Sequence, residues 1–182
     1  ILHLIQDATV PDHTRDDMHP PAFDFGSPYE AWASQWTPEN TNIALELTLN
    51  GYKPISYATL GEYFDAVATY SNNNFFSKDT IFEKKYLQPL VMEEKKEILS
   101  DNKSHLFGMN SKGVRLMEIE EEFDFTTGGY VRLYKIKDVD YLIFSDYWKL
   151  LSRQAVQNGA GIVKLFFDEV EKERKSKELL AT

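Results

Sequence analysis

His3, Asp7 and His13 sit close together at the start of the chain, and three of its four histidines fall within residues 3 to 19. In a helix, residues four apart lie roughly 40° apart around the axis, so His3 and Asp7 project from one face as a chelating pair. Leu2, Leu4, Ile5 and Val10 supply core-facing bulk for that helix. Pro11 ends it near Val10, because proline lacks an N–H and disfavours the helical conformation in the residue before it. The turned chain then brings His13 back toward the same pocket. Imidazole nitrogen and carboxylate oxygen are both metal ligands. The same spacing also arises from a plain histidine–aspartate hydrogen bond, and the residues alone leave both readings open.

The elements that must carry these side chains are read from hydrophobic period and punctuation. Residues 14 to 29 are rich in Asp, Pro, Gly and Ser and read as a loop. Arg15, beside Asp16 and Asp17, reads as a surface pair in preference to a phosphate contact. Ser27 and Pro28 have the chemistry of an N-cap and a first helical residue, and the helix that follows, through Trp36, carries Glu30 near its start. Trp32 and Trp36 share one face of it and read as core. A second helix is predicted over about 59–70, with Thr59 or Ser56 as cap and Asn72-Asn73-Asn74 breaking it. Residues 79 to 99 read as charged and irregular, with one short helix and a solvated run from Glu93 to Glu97. His105 reads as a loop or packing histidine. Alternation from Val114 to Phe144 predicts three antiparallel strands, the last two, Tyr130–Ile136 and Tyr141–Phe144, forming a hairpin. The acidic run Glu120-Glu121-Glu122 with Asp124 lacks the ligand spacing of a calcium loop and reads as a solvated strand end. A final helix, capped by Ser145 or Asp146, keeps an apolar stripe from Trp148 to Val170, and its small residues Ala155, Gly159 and Ala160 allow close approach of another helix.

The string His3-Leu4-Ile5-Gln6-Asp7-Ala8-Thr9-Val10-Pro11-Asp12-His13 resembles the signature of the zinc-dependent phospholipase C and single-strand-specific nuclease superfamily, in its bacterial exported form. The resemblance is strong over residues 2 to 30. Tyr147-Trp148-Lys149-Leu150-Leu151, with Gln154-Ala155-Val156 and Gly159-Ala160-Gly161-Ile162, resembles the closing helix of such members. It implies a mostly helical domain, a cluster of up to three zinc ions, and hydrolysis of a phosphodiester, in phospholipid or nucleic acid, by metal-activated water. His3 and Asp7 match the pair serving the first metals, with Asp7 bridging two of them; His13 matches a ligand of the remaining one. Glu30 matches that site's carboxylate, while Gly26 stands where the family has a histidine, and His19 is the candidate to replace it. The catalytic residue itself is not identifiable. Family members carry further ligands before this helix, so the resemblance also implies that the chain is the carboxy-terminal part of a longer, exported protein. The alternative is a non-catalytic binding or structural module on the same fold, with a degenerate or empty site.

Composition bounds these readings. A chain of 182 residues with 42% hydrophobic and 14% aromatic residues has the makings of one globular domain. A formal charge of −9 opposes unaided binding to nucleic acid or to an anionic membrane surface. Zero cysteines exclude disulfides and thiolate-ligated zinc, leaving histidine and carboxylate as ligands. No apolar run approaches the ~18 residues of a transmembrane helix. Phosphate-binding glycine loops and Gly-x-Ser-x-Gly elbows are absent from the sequence, and oligomeric state is not legible in it. The expected architecture is mainly α: a single helical domain over 1–182, with a small three-stranded antiparallel sheet inserted at 113–144.

Overall fold

A computed structural model of the chain describes residues 1–17, 26–35 and 42–180. Among the described residues the fold is mixed, with 46% helix, 18% strand and a four-stranded antiparallel sheet. This corrects the mainly α expectation with its three-stranded sheet. The helices are α1 (Leu2–Asp7), α2 (Pro11–Thr14), α3 (Pro28–Ala33), α4 (Ile43–Leu49) and α5 (Leu60–Asn74). Strands β1 (Glu93–Ile98), β2 (Ser104–Met109), β3 (Arg115–Asp124) and β4 (Gly129–Lys135) follow, and the long α6 (Leu142–Leu180) closes the chain.

The sheet is a meander in the order β1-β2-β3-β4, with a register irregularity at Gly108/Met109. Two segments differ from the sequence expectation. Glu93–Ile98 is a solvated run as expected, but it is also an edge strand: its charges, exposed except at the half-buried Glu97, protect an open edge from unwanted pairing. Conversely, Leu142, Ile143 and Phe144 open α6 and do not form a third strand. Ile143 and Phe144 are fully buried, and in a short buried apolar run the period does not separate strand from helix. The cap decides instead: the Asp138 carboxylate accepts from the N–H groups of Asp140 at 3.0 Å, Leu142 at 3.0 Å and Ile143 at 2.9 Å. Asp138, not Ser145 or Asp146, therefore starts this helix.

The main core joins the sheet to the first turns of α6. Phe75, Phe76, Phe107, Leu116, Ile143, Phe144, Tyr147 and Leu151 pack there, with Trp32 partly buried against them. Trp36 lies outside the described residues. A second, smaller cluster of Ile5, Tyr63, Val67 and Ile162 joins α1, α5 and the middle of α6. Helix α5 carries a complete capping box. The Thr59 hydroxyl accepts from Glu62 N–H, and the Glu62 carboxylate accepts from Thr59 N–H. It continues through Asn72 and Asn73 to Asn74, past the expected break.

The small-residue stripe of α6 has a specific use at Gly161. A Cβ there would lie 1.9 Å from the Ile55 carbonyl oxygen and 2.6 Å from the Tyr63 hydroxyl. The Tyr63 hydroxyl donates to that same carbonyl at 3.0 Å, so the backbone of 55 crosses α6 at a point only glycine permits. At Gly161 a loop and a tyrosine from α5 approach, and at Gly159 it is Leu2 of α1 that lies nearest.

Candidate metal-binding cleft

The chain enters the site through α1, which is shorter and more exposed than the sequence suggests. Ile5 is buried, Val10 is partly buried, and Leu2 and Leu4 are exposed. The expected chelating pair on a buried helix is thus a pair on a surface helix, the His3 side chain being 83% exposed and Asp7 32%. The helix ends at Asp7, before Pro11, and Pro11 itself becomes the first residue of α2. Both effects have one cause: proline drives Val10 to extended backbone (φ −95°, ψ 118°) and is itself preset for the first helical position.

The α2–α3 junction positions the next pair. Ser27 caps α3, accepting from Glu30 N–H at 3.2 Å, and its hydroxyl donates to the Asp12 carboxylate at 2.9 Å. Asp12 and Ser27 are both buried, so this bond pins the start of α2 to the start of α3. His13 follows Asp12, and Glu30 stands on the first turn of α3. The result is His13 Nε2 at 3.4 Å from Glu30 Oε1, across seventeen residues of chain. His3 Nε2 and Asp7 Oδ2 are 3.6 Å apart. Asp12 carries no ligand role in the sequence reading, and its contact with Ser27, fifteen residues away, is a tertiary one that no local pattern signals.

His3, Asp7 and Glu30 share the wall of one cleft of about 610 Å³. The rest of that wall is largely apolar, built by Val10, Tyr29, Ile43, Trp148 and Val156, with no lysine or arginine among the described residues lining it. Tyr29 is buried, and burial, with Tyr147 and Asp12 nearby, pushes its phenol well above the usual range, so it meets the cleft as a neutral group. His13 faces Glu30 without lining the cleft itself. His19, the reserve ligand, lies outside the described residues. Among the described residues no three or more His, Asp or Glu side chains form one metal-holding group; the candidate ligands come as two pairs.

Arg15 is neither a phosphate contact nor a surface partner of its neighbouring aspartates. It is fully buried. Its Nε donates to Thr80 Oγ1 at 2.6 Å, Nη1 to the carbonyls of Asn72 at 2.6 Å, Phe75 at 3.3 Å and Leu87 at 3.3 Å, and Nη2 to the Thr80 carbonyl at 3.4 Å. Tyr86 lies under the guanidinium, its ring centre 4.9 Å away. Burial lowers the Arg15 pKa, while Tyr147, Tyr86, Glu83 and Asp17 oppose that. Asp16 pairs with Lys85 at 3.0 Å, and Asp17 accepts from Asp79 N–H at 3.1 Å. Arg15 thus fastens the segment after α5 to the α2 turn beside the candidate ligands.

His105 also departs from its expected role. On β2 it is held between two carboxylates, its Nδ1 against Glu118 on β3 and its Nε2 3.1 Å from Asp101 in the β1–β2 turn. The Glu118 bond, with Asp101 adding to it against the opposing effect of burial, raises the His105 pKa. No signal short of the strand register placed these three together.

Compared with protein-family profiles, curated proteins and solved structures, the chain matches none. No helix among the described residues is long and apolar enough to cross a membrane.

Proposed function

We propose that this chain contributes to a zinc-dependent phosphoesterase, His3 and Asp7 forming one ligand pair and His13 and Glu30 another. The observation that carries the reading is the His13–Glu30 approach, in which two metal-ligand residue types from different helices meet at 3.4 Å. Donors bound at ~2.0–2.2 Å to a tetrahedral zinc are themselves about 3.3–3.6 Å apart, so both this pair and His3–Asp7 at 3.6 Å have the spacing of two corners of such a site. When bound, zinc lowers the pKa of a water ligand toward ~7 and polarises a phosphoester oxygen.

The chain's own groups do the remaining work. Each pair offers one imidazole nitrogen and one carboxylate oxygen, donor types that suit a dication. The Asp12–Ser27 bond holds the second pair in place. Remaining ligand positions call for donors beyond the two pairs, His19 being the candidate that the sequence reading names. The apolar wall by Trp148, Ile43 and Val156 receives an uncharged part of the substrate. The lack of cationic lining among the described residues, with the chain's charge of −9, disfavours a polyanion such as nucleic acid.

One observation favours a second reading. Two-donor pairs at these distances are also ordinary histidine–carboxylate contacts, which suits a non-catalytic module. The two readings separate when the protein is assayed for zinc content and for hydrolysis of a chromogenic phosphodiester. Zinc with chelator-sensitive turnover supports the enzyme; zinc-free, inactive protein supports the module.

A further inference from the structure

The β3–β4 hairpin ends in an aromatic cluster that no part of the proposed metal chemistry uses. Phe125 is 90% exposed, Tyr130 76% and Phe123 44%. Phe123 faces Tyr130 across the ladder, and its ring lies 5.0 Å from Phe125 and 5.4 Å from Tyr130 in edge-on contacts. The turn beneath them is ordered. The Asp124 carboxylate accepts from Thr126 N–H and the Thr127 hydroxyl, each at 2.8 Å, and Gly128 takes a positive φ of 70°. Two residue pairs below the tip, or about 7 Å along the strands, begins a collar of paired charges. There Arg132 bonds Glu121 at 3.2 Å and Glu94 at 2.7 Å, and Lys135 bonds Glu120.

We propose that this hairpin tip docks on a zwitterionic phospholipid surface, with Phe123, Phe125 and Tyr130 entering the headgroup region. Tyr130, an apolar ring with a polar hydroxyl, favours that zone, and Phe123 and Phe125 add apolar area of the kind interfacial segments bury. The ~7 Å between rings and collar matches the ~5–10 Å to which interfacial segments sink. The nearby charges choose the lipid. The tip has no cation, Glu122 lies between rings and collar, and the chain carries −9, so an anionic surface repels it. A second copy is a poorer occupant. Three rings offer at most about 450–750 Å², below the roughly 800 Å² per partner of a stable interface, and two chains of charge −9 repel each other.

The proposal rests on the hairpin alone and is tested without metal. The chain is floated with vesicles of neutral phosphatidylcholine, and separately with vesicles containing anionic lipid. The chain is expected to float with the neutral vesicles, in chelator as well as without it. The double variant Phe125→Ser/Tyr130→Ser is expected to bind them at least about tenfold more weakly, with unchanged thermal unfolding because both side chains are exposed. Phe125→Ser alone should give a smaller loss in the same direction. Three results overturn the proposal: no binding to neutral vesicles, equal binding by the double variant, or binding that requires anionic lipid. Self-association of the chain that the double variant abolishes also overturns it, by showing a protein interface.

Discussion

Replacing Arg15 by alanine tests whether this side chain is a clamp of the fold or a contact for substrate. The guanidinium is fully buried and donates to the hydroxyl and carbonyl of Thr80 and to the carbonyls of Asn72, Phe75 and Leu87. Alanine leaves those oxygens without this donor, and each buried acceptor so stranded costs about 1–3 kcal/mol. Some relax toward water, so a total of about 3–5 kcal/mol is expected, the usual loss on removing one side of a buried charged network. Against a domain stability of about 5–15 kcal/mol this is a large fraction. With a urea m-value near ~2 kcal/mol/M the midpoint should fall by about 2 M at constant m. Arg15→Lys should recover only part of that loss, because one ammonium does not reach acceptors on both sides of a planar fork. Urea unfolding followed by circular dichroism measures both variants. An Arg15→Ala protein within about 0.5 kcal/mol of wild type, or one that loses phosphoester binding with its midpoint intact, refutes the clamp.

The crossing at Gly161 predicts an asymmetric response along one helix face. Gly161→Ala, with a Cβ 1.9 Å from the Ile55 carbonyl, should cost more than about 4 kcal/mol or abolish soluble expression. Gly159→Ala, whose Cβ meets Leu2 at 3.8 Å, should be neutral or stabilise by up to about 1 kcal/mol through helix propensity; thermal melts of the pair decide it. The His105 clamp predicts a pH dependence. Its folded pKa is raised by Glu118 and Asp101, so its stabilisation is fully present below the unfolded value near ~6.5 and is lost as pH rises through the folded value. His105→Gln should remove that slope from unfolding free energies measured between about pH 5 and 9 and lower stability most at the acid end; a slope that survives the substitution contradicts the assignment.

Local punctuation was legible in the sequence, and long-range placement was not. Ser27-Pro28 and Thr59 were readable as helix starts because a cap is a property of three or four consecutive residues. The charged strand Glu93–Ile98 was hidden because its pairing with β2, not its own pattern, makes it a strand. Arg15 beside two aspartates looked solvated because nothing local reveals carbonyls supplied from residues 72 to 87. At the site, His3 and Asp7 were findable from helical spacing. The meeting of His13 and Glu30 followed only from the resemblance, and the bond that produces it, Ser27 to Asp12, is a tertiary contact without a sequence period. The exposure of Leu2 and Leu4 was missed for a related reason: a period shows which residues share a face, but not whether anything covers it.

The central claim is that the two pairs are metal ligands. Zinc titration of the chain by competition with a chromophoric chelator, for wild type, His3→Ala and His13→Ala, addresses it directly. The account predicts zinc uptake by the wild type and a separate loss of binding in each variant, with unfolding midpoints unchanged because both histidine side chains are at least partly exposed. Zinc uptake that is absent in the wild type, or identical in all three proteins, contradicts it.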